Sequence, residues 1–231
     1  MMGMNKFEDF IIDQPYVLTG EDEEAINKAS PGEKDGSQWT KSCLDGFKQR
    51  LKSYLKIKQK DCCAYCRMEI HDNEASPEIE HIVPKILKAD WMYNPLNLCL
   101  SCKLCNTKKG HIKPVLRDVT VRDLPTTSDS YLIIHPYLDK YSDNIELVGG
   151  VLYRGIKDKG KNTIELCELD RYELAAARAT EMLKKDADSV TRFLLLMGEA
   201  DNQRLINNLD SFIEHIKERA KKYKELQTQK M

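Results

Sequence analysis

Pro77-Glu-Ile-Glu-His-Ile-Val-Pro-Lys85, followed after a loop by Asn94-Pro-Leu-Asn-Leu-Cys-Leu-Ser-Cys-Lys-Leu-Cys-Asn-Thr-Lys-Lys-Gly110, decides how this chain folds around its chemistry. Ile79, Ile82 and Val83 predict a short strand with Glu80 and His81 side by side. Asn94 to Leu100 predicts a second short strand, and Cys105 to Gly110 the start of a helix. A strand, a loop, a strand and a helix gather Glu80, His81, Asn97 and Asn106 within one small unit. A lone His is most simply a packed or surface residue. A flanking Glu and downstream Asn inside a cysteine frame argue against that here.

The frame is two Cys-x-x-Cys pairs, Cys63-Ala-Tyr-Cys66 and Cys102-Lys-Leu-Cys105. One such turn lets two thiolates grip one ion, and two complete a tetrahedron around Zn²⁺. Residues 67–101 lie between the pairs, more than a simple finger needs, so the strands are an insertion in the metal frame. Cys62 adjoins the first pair, and Cys99-Leu-Ser-Cys102 is a third Cys-x-x-Cys, so the register is open. The favoured set is Cys63, Cys66, Cys102 and Cys105, with Cys99 packed on a strand. Six of the eight Cys fall between 62 and 105, which in a reducing compartment points to metal before disulfides.

These stretches resemble the HNH nuclease motif in its ββα-metal form, over about residues 61–112. The resemblance implies a general base at His81 and an acidic metal ligand at Glu80. It implies a loop-steadying Asn at Asn97, and Asn106 at the last motif position, where His is common. It also implies a structural zinc on the four Cys. A narrower resemblance, to the PtuB-like HNH component of Septu-type anti-phage systems, takes in the preceding helix and the helical segment opening at Ile164. It implies an SMC- or ABC-like ATPase partner (PtuA-like) and, in retron systems, a reverse transcriptase with its msDNA.

Chemically, a neutral imidazole can take a proton from water, which suits His81. Oxygen ligands from Glu80 and Asn106 leave positions for water and phosphate, which suits Mg²⁺ or Mn²⁺. Lys85, Lys108 and Lys109 are candidate contacts to the nucleic-acid backbone. Such a site grips phosphate and reads no bases. DNA is the favoured substrate, with RNA possible. Two other readings use the same residues: a toxin-like RNase acting on host RNA such as tRNA, and a zinc-ribbon binding module without activity.

The remaining chain sets limits on these readings. It has 231 residues, 41% hydrophobic and 32% charged, enough apolar content for a real core. The net charge of −1 is unevenly spread. Residues 1–40 hold three Lys against nine acidic residues, leaving 33 basic and 28 acidic residues in 41–231. A basic body favours a polyanion. No run approaches the roughly 20 apolar residues of a bilayer span, and Met1 to Ile12 reads as neither signal nor transit peptide, so a cytoplasmic protein is expected.

The expected fold class is α+β: a mainly helical chain around a small ββα-metal core with a four-Cys zinc site. Residues 1–37 read as an acidic arm, and 38–60 as a basic helix with Trp39 or Cys43, Leu44, Phe47, Leu51 and Leu55 on one face. Residues 61–112 are the nuclease core. Residues 113–165 are a connector with a hairpin around Gly149-Gly150. Residues 166–231 are C-terminal helices, at 166–197 and about 201–226, available for docking a partner.

Overall fold

Five α-helices and two two-stranded sheets make up the described residues, 9–70, 77–111 and 113–185, of a computed structural model. The mixture is α+β. Helix α1, Gly20–Ala29, starts at a capping box: Thr19 accepts from the Asp22 amide, and the Asp22 carboxylate accepts from the Thr19 amide. Acidic residues in its first turn and Lys28 in its last complement the helix dipole. The acidic segment is therefore no free arm. Phe10 and Ile12 are buried in the core, and α1 packs on the second helix.

Helix α2 spans Asp45–Lys58 and buries Phe47, Leu51 and Leu55, one residue per turn. It is shorter than the expected 38–60, because Lys41 is extended (φ −65, ψ 135) and splits the approach into 3₁₀ turns at Gly36–Thr40 and Ser42–Leu44. Trp39 and Cys43 thus lie in turns. The basic face of α2 is divided. Arg50 bonds Asp22 and Glu21, each at 3.0 Å, and Lys58 meets Asp13 at 2.6 Å. Part of the charge asymmetry in the sequence is internal pairing between the acidic segment and this helix.

Strands β1, Glu78–His81, and β2, Leu98–Ser101, pair antiparallel with Glu80 opposite Cys99 and His81 opposite Leu98. Ile82 and Val83 lie just past the end of β1, and Asn97 sits in the turn before β2. Helix α3, Lys103–Lys109, is capped by Cys102 and ended by Gly110 at φ 61, where a side chain would be strained. It begins two residues before the expected start. Gln59 locks α2 to this unit: buried, it accepts from the Leu100 amide at 2.7 Å and donates to the Cys62 and Leu100 carbonyls at 2.9 Å.

The hairpin forms between β3, Ile145–Val148, and β4, Leu152–Gly155. Gly149 and Gly150 both have positive φ, as a primed turn requires, and Val151 is an added residue before pairing resumes. Residues 113–165 are more than a connector. Val115, Leu116, Tyr131, Ile133 and Ile134 are core, and α4, Asp158–Cys167, packs against β4. Gly160 lets α4 also lie close to the chain entering β3, since a Cβ there would collide with the Asn144 carbonyl. The expected single helix 166–197 is broken at Glu168, which is left-handed (φ 46, ψ 50), and α5, Tyr172–Lys185, follows. One hydrophobic cluster runs from Phe10 to Leu174, so these segments share a core. Among the described residues no helix is long and apolar enough to cross a membrane. Residues 1–8 of the acidic arm, the continuation to 197 and the helix at about 201–226, with its docking role, lie outside the described residues.

Candidate active site

His81 ends β1 and is 5% exposed. Its Nε2 lies 3.1 Å from the Met92 carbonyl. A carbonyl only accepts, so Nε2 carries the proton and Nδ1 is bare in the neutral ring. Burial first, then the Lys85 and Lys109 charges, outweigh the Met92 bond and bring the pKa down to about 3, so the ring is neutral at cellular pH. Trp39 meets it edge-on, with ring centroids 4.5 Å apart. The backbone hydrogen bond and the indole together fix the ring orientation.

Glu80 is 6% exposed, and its Oε1 lies 2.6 Å from Lys109 Nζ. Lys109 also donates to the His81 carbonyl at 3.0 Å, tying the end of α3 to β1. Burial holds the Glu80 carboxyl above its ordinary value, against the pull of Lys109. This corrects the expectation for Lys109. It is 3% exposed and committed to Glu80, so it is no surface contact for a nucleic acid.

Asn106 projects from α3 and donates through Nδ2 to Glu78 Oε2 at 2.6 Å. The carboxylate oxygen accepts from the Asn106 amide nitrogen, so the bond orients Asn106 and leaves Oδ1 as an acceptor. Glu78 was not singled out in the sequence. Its signal was the period of two in β1, which sets it on the Glu80 side of the strand.

Asn97 is wholly buried. Its Oδ1 accepts from the Val83 amide at 2.8 Å, and its Nδ2 donates to the Val83 carbonyl at 3.0 Å. It holds the loop that follows β1 and makes no approach to solvent. Lys85 is half-buried beside His81, whereas Lys108 pairs with Glu168 at 2.9 Å.

His81, Glu80, Glu78, Asn106 and Lys85 all line one open cleft of about 1420 Å³. Its other side comes from residues 34–40 with Lys48 and Lys52 of α2.

Beneath α3, the Sγ atoms of Cys63, Cys66, Cys102 and Cys105 all lie within 4.8 Å of one another. A tetrahedral zinc thiolate has S···S near ~3.8 Å, from Zn–S bonds of about 2.3 Å. Cys66 and Cys102 stand 4.0 Å apart, so this set can hold a metal ion. Cys62 and Cys99 are buried outside the set. Arg171, 5% exposed, donates to Cys105 Sγ at 3.4 Å and to the Cys167 carbonyl at 3.0 Å. A cation against the thiolates offsets their charge. The sequence carried no local sign of it.

Residues 63–112 match the family model of the HNH endonucleases. The chain is also 31% identical over 113 residues to a protein of Bacillus thuringiensis named Septu protein PtuB. That match takes in 48% of this chain and 37% of PtuB, so the chain spans little more than a third of that relative's length. No solved structure matches. The matched HNH residues include β1, β2, α3 and all four clustered Cys. The chain therefore carries an HNH endonuclease domain and, over part of its length, is PtuB-like.

Proposed function

We propose that this chain is a metal-dependent endonuclease that hydrolyses phosphodiester bonds of DNA, acting as the effector of a bacterial anti-phage complex with an ATPase partner. The observation that carries the nuclease assignment is the state of His81. Its Nε2 proton is spent on the Met92 carbonyl, and the ring lies in a lysine-lined cleft beside two oxygen-ligand side chains. The defence role and the ATPase rest on the likeness to PtuB, through the Septu systems in which such proteins work beside a PtuA-like ATPase.

His81 accepts the proton of the attacking water at Nδ1, and Trp39 and Met92 keep the ring aimed during the transfer. Asn97 keeps the 83–91 loop in place and so the Met92 carbonyl. Glu80, Asn106 Oδ1 and Glu78 bring three oxygen-donor side chains to the cleft, which fits a hard cation. Glu80 and Asn106 would hold Mg²⁺ or Mn²⁺, which would supply positive charge to the phosphate and leaving oxygens. Lys109 pairs with the buried Glu80 at 2.6 Å and holds it in position. The four Cys would hold Zn²⁺, which would tie the start of α3 to the Cys63–Cys66 turn as a structural support.

The test is cleavage of plasmid DNA by the zinc-loaded chain in Mg²⁺ or Mn²⁺, alone and with a PtuA-like ATPase. A parallel arm uses total tRNA. His81→Ala should slow cleavage by about two to four orders of magnitude with zinc content unchanged. Cleavage by that variant within about threefold of the parent would remove His81 from the mechanism. Cleavage of tRNA alone would replace the DNA substrate with RNA.

A further inference from the structure

The cleft has two walls, and the HNH domain supplies only one. Lys85 and Lys103 come from the matched residues 63–112. The second wall comes from the segment before α2 and one face of α2, carrying Lys34, Trp39, Lys48 and Lys52. At about 1420 Å³ the space exceeds the roughly 300–1,000 Å³ of small-molecule sites.

The basic residues of α2 face different ways. Arg50 and Lys58 point to Asp22, Glu21 and Asp13 of the acidic segment. Lys48 and Lys52 lie one turn apart, about 6 Å along the helix, on the face that lines the cleft. Lys48 meets Asp45 at 3.3 Å, but Asp45 is 71% exposed, and such a pair is worth at most about 1 kcal/mol. The acidic residues of the lining are each committed. Asp35 caps the turn at Ser37, Glu78 holds Asn106, and Glu80 pairs with Lys109. The lining still carries five lysines, Lys34, Lys48, Lys52, Lys85 and Lys103, against Asp35, Glu78 and Glu80, a balance that favours a polyanion. Trp39 joins the α2 wall to the site, edge-on to His81 and 5.7 Å from Lys48 Nζ.

We propose that residues 34–52 form the second wall of a groove for the backbone of duplex DNA, with Lys48 and Lys52 binding its phosphates. This rests on the endonuclease reading above and adds a substrate-binding element from outside the HNH domain.

Binding is measured by fluorescence anisotropy on a labelled duplex, with the full zinc-loaded chain in the His81→Ala background so that the DNA stays intact. Each phosphate contact contributes about 0.9 to the slope of log K against log salt. Lys48→Gln/Lys52→Gln should flatten the slope by about 1.8, and Lys48→Gln alone by about 0.9. Lys140→Ala/Lys161→Ala removes the same charge at exposed positions outside the cleft lining and should leave the slope within about 0.5 of its parent. An unchanged slope in both glutamine variants, or a loss equal to the control's, overturns the proposal. Parent protein that binds with the expected slopes but never cuts DNA overturns the endonuclease reading and leaves the groove standing.

Discussion

Asn97→Ala is the sharpest test of how the fold serves the site. The side chain is wholly buried and makes two well-formed bonds to one residue, from the Val83 amide at 2.8 Å and to the Val83 carbonyl at 3.0 Å. A third contact, to the Trp91 carbonyl at 3.4 Å, is too long to count for much. Alanine leaves both polar groups of Val83 without these partners, and Val83 is itself 1% exposed. Each orphaned buried group costs about 1–3 kcal/mol, so the loss is about 2–6 kcal/mol. Against a total stability of about 5–15 kcal/mol this is large. Asn97→Asp keeps the size and the acceptor but sets an oxygen against the Val83 carbonyl, so it should do no better than alanine. The assay is urea unfolding of the zinc-loaded chain at fixed total zinc, followed by fluorescence of Trp39 and Trp91. With slopes of about 1–3 kcal/mol per molar urea, the midpoint should fall by about 1 M or more. A loss under about 0.5 kcal/mol, or an Asp variant as stable as the parent, would refute the hydrogen-bond reasoning.

Three more outcomes follow from buried charge and the metal frame. Serine at Cys63, Cys66, Cys102 or Cys105 should lower zinc content and soluble yield together, while Cys62→Ser and Cys99→Ser keep the metal; zinc per chain by elemental analysis decides, and loss in Cys62→Ser with retention in Cys102→Ser would reverse the register. Lys109→Met leaves the Glu80 carboxylate buried without its 2.6 Å partner and should cost about 3–5 kcal/mol, part of it regained by adding Glu80→Gln; simple additivity of the two changes in unfolding experiments would count against the pair. Burial pushes the Asp22 pKa up, but bonds from Thr19, Arg50 and Tyr16 outweigh it, so the folded value lies below the ordinary 3.8. Its contribution is therefore present above pH 3.8 and lost as pH falls through the lower folded value, and Asp22→Asn should flatten the acid limb of stability against pH there.

Most of the nuclease core was legible because its information is local. A Cys-x-x-Cys turn brings its two sulfurs together by its own geometry, and the spacing of Glu80, His81 and Asn106 along two strands and a helix places them within one unit. Gly149-Gly150 likewise marks a turn through backbone freedom alone. Which surface each charge faces is a different matter. Lys108 and Lys109 are neighbours in sequence, yet α3 turns about 100° between them, toward solvent and Glu168 in one case and into the core under Glu80 in the other. Composition marked α2 as basic, but only its packing on the acidic segment separates Arg50 and Lys58, which pair with that segment, from Lys48 and Lys52, which line the cleft.

What the sequence alone determined is therefore the local layout: the four-Cys frame, the His beside a Glu, and the ββα order that unites them. Tertiary structure decided which partners finish that chemistry, because they lie far off along the chain. The Met92 carbonyl sets the tautomer of His81, and Trp39 sets the ring from the opposite side. Gln59 ties α2 to β2 across forty-one positions, and Arg171 sits sixty-six positions from the Cys105 sulfur it touches. Backbone carbonyls and long-range contacts leave no residue-type signature, and they form only when one hydrophobic core closes around all of these segments.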